Sequence, residues 1–481
     1  MYISKIKLHN FKGFKGDHEL IFDKGVNFFV GDNNCGKSSV FEAIDFIRSK
    51  KERNEVITKT EMESDDFVSV EIELNGEDLE SLLKIEALKK YGSCLIDTDG
   101  KKSLRVMRSS DETKIKQGGK DKTLTIANVR IFNPEAKQFE NPTGIDTTIT
   151  ALFDAQFVWA DTNSSDVADF SKTKICGKII NAIISNDIAD CWKDFEKSHK
   201  KTFAEIADNL KPIEEKIQNK LSQQYGDTEV KFNFTLPEIT DFLKSGNITL
   251  SDSGIQTISS EKGTGMQRAL ALSLIQVYAE ISSSNDEKVS KPIMFFIDEP
   301  ETFLHPQAQN KLLDALEKIS EKSQIFIVTH SPYLLKKYKK ETHSMNIFSK
   351  EDGFNKIAAS IELDMFGKSS PTWGEINYRA FGVLSVELHN ELYGFIQAKA
   401  ILEDEKNYFE EEFEKYLVNK GITQDQQYIR LKKDGTTESQ ARTLPTKIRN
   451  IIHHPENAHN VKCTDAEIES SIEKLISLQN S

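Results

Sequence analysis

Apolar and polar residues alternate at the start of the chain and then give way to short, fully apolar runs. The stretch KIKLHNF, from Lys5, alternates as a half-buried strand does, and VNFFV, from Val26, is followed at once by a glycine. The second pattern is typical of a buried strand that enters a loop. With VSVEIEL from Val68 and LTIANVRIF from Leu124, it predicts mostly strands, after one helix, between about residues 30 and 160.

The pattern changes between Asp187 and Gln224, where the chain is charged and rich in helix-favouring residues. Pro212 suits the first turn of a helix, which predicts that two helices meet there. At 1.5 Å per residue, a pair of this size would form an arm of roughly 20 to 35 Å. We therefore predict a short helical arm in the middle of the chain.

Strand patterns return after the arm. VKFNFTL and NITL come first, then a glycine-bearing turn that opens a helix, then the apolar runs IMFFI and IFIV. Beyond about residue 360 the apolar spacing is helical. The sequence thus predicts an α/β protein with two lobes, an inserted arm and a mostly α-helical C-terminal domain. The predicted boundaries are 1–165 and 236–360 for the lobes, 166–235 for the arm and 361–481 for the C-terminal domain.

Composition indicates an ordinary globular protein, with 29% charged and 38% hydrophobic residues. The N-terminus lacks the apolar core of a signal peptide, and no run approaches eighteen apolar residues. The five cysteines show no CxxC spacing, which argues against a zinc site or a disulfide framework. We therefore expect a cytoplasmic protein with no membrane partner.

A net charge of −13 disfavours nonspecific binding of nucleic acid by the molecule as a whole. Fields decay over roughly 8 Å at physiological salt, so a local basic cluster such as KKYKK, from Lys336, could still contact phosphates. Solvated helix ends are the simpler interpretation of such clusters.

The stretch GDNNCGKSS at 31 to 39 fits the phosphate-binding pattern GxxxxGK[ST]. It lies between the predicted strand VNFFV and a predicted helix, where backbone N–H groups can surround phosphates at the positive helix end. Lys37 would reach the β- and γ-phosphates of ATP, and the Ser38 hydroxyl would bind Mg²⁺. The predicted nucleotide-binding residues of this loop are Gly31, Asn33, Asn34, Cys35, Gly36, Lys37, Ser38 and Ser39.

Two adjacent carboxylates end the apolar run in IMFFIDEPETFLHP. Carboxylates at the end of a buried strand are costly unless they hold a cation or take part in chemistry. We expect Asp298 to complete the Mg²⁺ shell and Glu299 to orient and deprotonate the attacking water. The next strand ends in THSP, so His330 lies at the same sheet edge, and we interpret it as a γ-phosphate contact rather than a structural histidine.

The stretch EKGTGMQRALALSL places Thr264 and Gly265 at the start of a strong helix, where N–H groups face outward. The phosphate loop of the same subunit needs no second helix of this kind. We therefore expect Thr264, Gly265 and Gln267 to contact the nucleotide of another subunit.

The order of phosphate loop, GTGMQR, DEPE and THSP resembles the ABC-type ATPases of the RecF, SMC and OLD group. GTGMQR is most similar to the OLD-like ATPases of bacterial anti-phage systems. The resemblance covers about residues 1 to 350. It implies an α/β, ABC-type P-loop ATPase head with a short helical arm, and a head-to-tail homodimer, with higher oligomers left open, that holds two ATP molecules. For the glutamine loop of this group we have only Gln156 as a candidate.

The C-terminal region differs from that of the OLD nucleases, which carry a Toprim domain with metal-binding carboxylates. No glycine-flanked glutamate followed by a DxD pair occurs here, and KEDG at 350 to 353 suits a hairpin turn. Metal-dependent nuclease activity of that type is not expected. Polar residues of the following helical stretch are interpreted as helix-surface groups: Glu375, Arg379, Glu387 and His389.

The stretch IRNIIHHPEN resembles the RxxxxH motif of HEPN ribonucleases through Arg449 and His454. Pro455 disfavours helical geometry at His454, which predicts a frayed helix end and favours a charged imidazole there. In metal-free RNA cleavage such a histidine acts as acid or base while the arginine stabilises the phosphorane. Arginine and histidine also serve as simple helix caps. Both a ribonuclease site and a structural or partner-binding role stay open.

Taken together, these resemblances imply an ATP- and Mg²⁺-dependent ATPase that controls a nuclease in an anti-phage system. The nuclease would be its own C-terminal domain or a partner subunit, as in Septu-type systems, with RNA or DNA as the nucleic acid. A RecF-like DNA-repair clamp is the alternative, and it predicts stimulation of ATP hydrolysis by duplex DNA. A scaffold that binds ATP but barely hydrolyses it is a third interpretation.

Overall fold

The computed structural model describes residues 1–159, 175–179, 189–232, 246–252, 254–283, 292–302, 304–336, 338–358 and 363–480. These residues form two units, the first comprising 1–157, 294–301 and 324–481, and the second 158–293 and 302–323. This division does not follow the four predicted parts, whose boundaries at 165, 235 and 360 lie outside the described residues and stay predictions.

The strands are β1 (Tyr2–His9), β2 (Asp17–Ile21), β3 (Val26–Gly31), β4 (Ser69–Asn75), β5 (Ile96–Thr98), β6 (Lys101–Ser109), β7 (Thr113–Gln117), β8 (Lys120–Leu124), β9 (Val129–Asn133), β10 (Gln138–Glu140), β11 (Asp154–Val158), β12 (Thr249–Asp252), β13 (Ile255–Ile258), β14 (Ile293–Asp298), β15 (Gln324–Val328), β16 (His343–Glu351), β17 (Phe354–Ala358), β18 (Gln426–Leu431) and β19 (Thr437–Arg442).

The α-helices are α1 (Lys37–Arg48), α2 (Arg53–Val56), α3 (Leu79–Leu82), α4 (Ile145–Thr148), α5 (Ala189–Tyr225), α6 (Thr264–Ser283), α7 (Pro306–Ser320), α8 (Pro332–Leu335), α9 (Trp373–Phe381), α10 (Val386–Glu403), α11 (Glu410–Asn419), α12 (Leu444–His453) and α13 (Asp465–Gln479). A further helical stretch covers residues 175–179. None of the helices in the described part of the chain is long and apolar enough to cross a membrane.

An antiparallel sheet in the first unit has the order β10-β9-β6-β4-β1-β2, with β5 paired to β6. Buried and half-buried residues alternate along β4, as the sequence VSVEIEL predicts. The single strand predicted for LTIANVRIF is wrong, because β8 ends at Leu124 and β9 begins at Val129. Between them the Asn128 side chain accepts a hydrogen bond from the Thr125 backbone N–H, 3.0 Å, which stabilises a turn.

The second sheet of this unit has the order β11-β14-β15-β3-β16-β17. Strands β14, β15, β3 and β16 are parallel, and β17 returns antiparallel through the predicted hairpin turn after Glu351. Every residue of β3, β14 and β15 is buried, because helix α1 packs between this sheet and the antiparallel one. Stacked rings of Phe296 and Phe326, 4.7 Å apart, join β14 to β15. The carboxyl ends of the three buried strands therefore meet at one sheet edge.

The arm differs from its prediction. It is the single helix α5 with Pro212 inside it, rather than two helices of which the second starts there. At 1.5 Å per residue its 37 residues span about 55 Å. A proline removes only one backbone donor, so the other hydrogen bonds of a long helix carry the chain through it. The ion pair of Lys211 with Asp208, 2.8 Å, spans the turn next to the proline.

The helices α10, α11 and α13 surround the apolar core of the C-terminal domain, which includes Leu392, Phe413 and Leu475. The domain is mostly α-helical, but it also contains the exposed hairpin of β18 and β19 around the turn at Gly435, which the sequence analysis missed. Helix α9 contacts β3 and α8, and the Trp373 ring lies 6.1 Å from that of Tyr333.

Two of the residues predicted to lie on helix surfaces are buried instead. Glu375 has no exposed surface, and its carboxylate accepts hydrogen bonds from the Met365 N–H and the Ser370 hydroxyl, both 2.7 Å. His389 is also fully buried, and its Nε2 lies 3.0 Å from the Ser471 hydroxyl. Both side chains are thus hydrogen-bonded inside the helical core, as buried polar groups usually are.

We expect the C-terminal domain to lose stability below pH 6.5 through His389. Burial lowers the pKa of His389 from 6.5 to about 4. Between these two pH values the unfolded chain binds a proton at His389 and the folded chain does not. Stability is therefore present above pH 6.5 and is lost as the pH falls, by up to about 3 kcal/mol. Hydrogen exchange of α10 measured at successive pH values checks this. His389→Leu should flatten the loss, and an equally steep loss in that variant would contradict it.

Candidate functional site

The phosphate-loop residues connect β3 to α1 as the sequence predicts. Gly31 ends the strand with φ of 126°, and a Cβ on it would lie 2.0 Å from the Phe348 carbonyl oxygen, so only glycine fits. Gly36 precedes the helix with φ of 92°. The Lys37 ammonium donates to the carbonyl oxygens of Gly31, 3.1 Å, and Asp32, 2.6 Å. It thus lies inside the loop, where phosphate oxygens would replace these carbonyls.

The other loop residues divide into exposed and structural ones. Asn33 and Asn34 are exposed, and Asn34 has a φ of 59°. Cys35 is buried, its Sγ donates to the Asp32 carbonyl, 2.7 Å, and burial raises the pKa of its thiol. The Ser39 N–H donates to the Gly36 carbonyl, 3.1 Å. Cys35 therefore shapes the loop.

A candidate metal position lies between the loop and β14. The Ser38 hydroxyl donates to Oδ2 of Asp298 over 3.0 Å, although the two residues come from distant parts of the sequence. A hydroxyl and a carboxylate oxygen are ligands of the kind that Mg²⁺ prefers. The two residues predicted to bind Mg²⁺ are therefore together, and their chemistry fits that ion.

Glu299 and His330 face each other beside this position. Glu299 has a φ of 45°, an uncommon conformation for a non-glycine residue, and its N–H donates to the Val328 carbonyl, 2.9 Å. Its Oε1 lies 3.9 Å from Nε2 of His330. Burial and the Lys37 charge lower the pKa of His330, so its imidazole is held neutral near pH 7. Strained backbone positions cluster at functional sites, so this conformation supports the role predicted for Glu299, which stays a prediction.

Glu301 is a site residue that the sequence analysis missed. Its Oε1 accepts hydrogen bonds from the Thr329 hydroxyl, 2.8 Å, and the His330 N–H, 2.7 Å. The signal was present, since Glu301 is the last residue of DEPE, but the motif does not show where this carboxylate points.

A cavity of about 610 Å³ opens beside the phosphate loop in the first unit. It is lined by loop residues together with residues near Lys12, Lys59 and the β16–β17 turn. Asn355, on β17, is 5% exposed, and a Cβ on Gly13 or Gly36 would lie 2.2 Å from its amide nitrogen. Sequence reasoning missed this part of the cavity wall because Asn355 is far from the phosphate loop in the chain.

The residues predicted to contact the nucleotide of another subunit lie in the second unit of this chain. Helix α6 begins at Thr264, which is exposed, and Gly265 follows in its first turn. The Gln267 amide donates to the carbonyls of Ser260, 3.0 Å, and Lys262, 2.6 Å, so it braces the loop before the helix. Gln156 is buried on β11 of the first unit and donates to Asp154, 2.7 Å. The nucleotide contacts of all these residues stay predictions.

Arg449 and His454 lie at the surface of the C-terminal domain. Helix α12 ends at His453, and His454 caps it outside helical geometry, as Pro455 predicts. Nη1 of Arg449 lies 3.5 Å from Glu410, and Nδ1 of His454 lies 3.1 Å from Glu456. Burial, followed by the charges of Arg449 and His454, lowers the pKa of His453. Arg449, His453 and His454 thus lie at the same end of α12. Within the described residues, no hydrogen bond or ion pair joins Arg449 to His454, and their catalytic role stays a prediction.

Comparisons with known proteins identify a family for the part of the chain that contains this site. The AAA ATPase domain family matches residues 1–335, more than half of the chain. The Old nuclease of Escherichia phage P2 is 28% identical over an alignment of 355 residues, which covers 69% of this chain and 57% of that protein. The chain thus spans little more than half the length of that relative.

Of two further comparisons, the first covers less of the chain and the second shares less of its sequence. The DNA replication and repair protein RecF of Clostridium kluyveri is 30% identical over 139 residues, 28% of this chain and 33% of that protein. A solved SmcHead bound to the C-winged helix domain of ScpA has 16% identity and a TM-score of 0.43, covering 75% of this chain and 99% of that one. With its phosphate loop and paired carboxylates, the chain belongs to the AAA ATPase domain family, and its sequence is similar to the Old nuclease and to RecF.

Proposed function

We propose that ATP binds at the sheet edge and is hydrolysed by water that Glu299 activates. The observation that carries this proposal is the convergence of Lys37, the Ser38–Asp298 pair and Glu299 with His330. Water attacks the γ-phosphorus, its proton passes to Glu299, and the bond to the β–γ bridging oxygen breaks, which releases ADP and phosphate. His330 contacts the γ-phosphate. A bound Mg²⁺ would neutralise phosphate charge while held by Ser38 and Asp298.

The base and ribose of ATP occupy the cavity beside the loop. Its volume of about 610 Å³ suits a ligand of this size. Lys15 lies 5.2 Å from the centre of the Phe354 ring and pairs with Glu61, 2.9 Å, so this wall is braced before a nucleotide arrives. Asn355 offers its amide group to the ligand from within the wall.

Two subunits close over two ATP molecules in head-to-tail orientation. Thr264 is exposed at the start of a 20-residue helix, where the positive end of the helix attracts anions. We assign this helix start, with Gly265, to the γ-phosphate of the partner subunit's nucleotide. Each ATP then lies between Lys37 of one subunit and Thr264 of the other, so nucleotide binding controls dimerisation.

The ATP-bound dimer controls a nuclease effector of an anti-phage system. Similarity to a protein named as a nuclease supports this role, and Arg449 and His454 are accessible, with side-chain exposures of 34% and 51%. Sites of the HEPN type are generally composite across a dimer. ATP binding would thus bring two Arg449–His454 pairs together for metal-free RNA cleavage. Unchanged cleavage by Lys37→Ala would contradict this coupling.

We expect the purified protein to cleave RNA without metal and His454→Ala to lose this cleavage by at least about 100-fold, because an acid–base group is removed. The assay uses bulk tRNA and RNA oligonucleotides, with EDTA in the nucleotide-free state and with no more Mg²⁺ than nucleotide in the ADP and ATP states. His459→Ala is the matched control, since His459 is exposed but lies outside the motif.

If no nucleotide state of the wild type cleaves RNA, the effector is instead a partner nuclease, which native purification would recover. Similarity to RecF favours one second candidate, a DNA-repair clamp. That candidate requires duplex DNA to stimulate ATP hydrolysis, whereas the nuclease-control proposal requires no such stimulation.

A further inference from the structure

Glu301 connects the ends of two neighbouring strands. It follows β14 by three residues, and its Oε1 accepts from the Thr329 hydroxyl, 2.8 Å, and the His330 N–H, 2.7 Å, just after β15. Thr329 has no exposed surface, so this hydroxyl is shielded from water. One oxygen thus fixes both the side chain before His330 and the backbone of His330 itself.

The hydrogen bonds continue beyond His330. The Thr329 hydroxyl accepts from the Ser331 N–H, 2.9 Å, and the Ser331 hydroxyl accepts from the Tyr333 N–H, 3.2 Å, as the N-cap of α8. Hydrogen bonds therefore hold the backbone on both sides of His330. Glu301 is the member of this network that follows β14, the strand that ends at Asp298.

The second oxygen of Glu301 indicates what the carboxyl group does here. Within the described residues, Oε2 is buried and has no hydrogen-bond partner. Burial raises the pKa of the Glu301 carboxyl. The hydrogen bonds to this carboxyl group come to Oε1, and both donors belong to the Thr329–His330 segment. Its role is therefore to hold donors in place, and a neutral acceptor of the same shape should largely replace it.

We propose that Glu301 is a positioning residue for ATP hydrolysis, which holds the Thr329–His330 segment so that the His330 imidazole stands beside Glu299. This inference rests on the proposed contact of His330 with the γ-phosphate. In this proposal Glu301 contacts neither the attacking water nor the phosphate. Since His330 Nε2 lies only 3.9 Å from Glu299 Oε1, a small rotation of the segment would move the imidazole out of place.

A double-mutant cycle with His330 tests the proposal. We expect Glu301→Ala to lower kcat about 10- to 30-fold with KM for ATP unchanged within about twofold, because alignment rather than binding is lost. Glu301→Gln should restore most of the rate, since its amide oxygen accepts the same bonds. In a His330→Ala background, Glu301→Ala should cause no further loss, because residues that act as a unit are not additive.

Two further variants complete the test. Glu341→Gln, at an exposed glutamate, should leave kcat unchanged. Thr329→Val removes one of the two hydrogen bonds to Glu301, and also the one that the Thr329 hydroxyl accepts from the Ser331 N–H, without altering the carboxylate. It should lower kcat, and this loss should also disappear in the His330→Ala background. This variant decides the question even if Glu301→Ala fails to fold.

If the fold-losses in kcat of the single variants multiply in the double variants, Glu301 does not act through His330. The role of His330 would then stand while the positioning role of Glu301 would be wrong. An unchanged kcat in His330→Ala would overturn both that role and this inference. Loss of hydrolysis in Glu299→Gln without loss in His330→Ala identifies the second case.

Discussion

Glu299→Gln should bind ATP but hydrolyse it at least about 100-fold more slowly than the wild type, because the amide cannot accept the proton of the attacking water. The Gln side chain keeps the size of the glutamate, so the Ser38–Asp298 pair should stay in place. The unhydrolysed ATP should then hold the two subunits together. A phosphate-release assay measures the rate, and light scattering after gel filtration with ATP and Mg²⁺ measures the dimer.

Glu341→Gln provides the control, since this exposed glutamate lies away from the sheet edge and should change neither property. If Glu299→Gln stays monomeric with saturating ATP and Mg²⁺, the two-subunit sandwich is wrong. If its hydrolysis rate equals that of the wild type, another group activates the water.

A mixture of two inactive variants should recover activity. Lys37→Ala removes the phosphate-binding ammonium, and Thr264→Arg places a bulky cation at the positive end of α6, so each variant alone should lose nearly all hydrolysis. In an equal mixture half of the dimers combine both variants, and each contains one site with Lys37 and Thr264 intact. Activity should then rise to about a quarter of the wild-type value, as expected for shared sites in a two-fold dimer.

A mixture of Lys37→Ala with Glu299→Gln is the matched control. Both changes lie on the same side of the site, so a mixed dimer has no intact site and should stay inactive. Recovery in this control, or none in the first mixture, would show that Thr264 does not complete the nucleotide site of the partner subunit.

The placement of the candidate site residues at one sheet edge could be predicted because these residues occupy strand ends. Lys37 follows β3, Asp298 ends β14 and His330 follows β15, and parallel buried strands bring such positions to one edge. Short motifs that follow continuous apolar runs therefore predict which side chains lie at this edge. The 3.0 Å hydrogen bond from Ser38 to Asp298 is the direct result.

The features that escaped prediction depend on contacts between distant segments. Asn355 packs on the phosphate loop from a hairpin late in the chain, and nothing near it in the sequence marks a ligand site. Glu375 and His389 alternate with apolar residues as surface groups do, yet hydrogen bonds from other segments compensate their burial. The course of α5 through Pro212 likewise depends on the whole helix rather than on one residue.

Helix α9 joins the C-terminal domain directly to elements of the candidate nucleotide site. This helix contacts β3, which leads into the phosphate loop, and its Trp373 ring lies 6.1 Å from that of Tyr333, three residues after His330. The helical domain therefore shares packing surfaces with the two segments that we expect to respond to ATP. We expect a change in the position of either segment to reach α9 through these contacts.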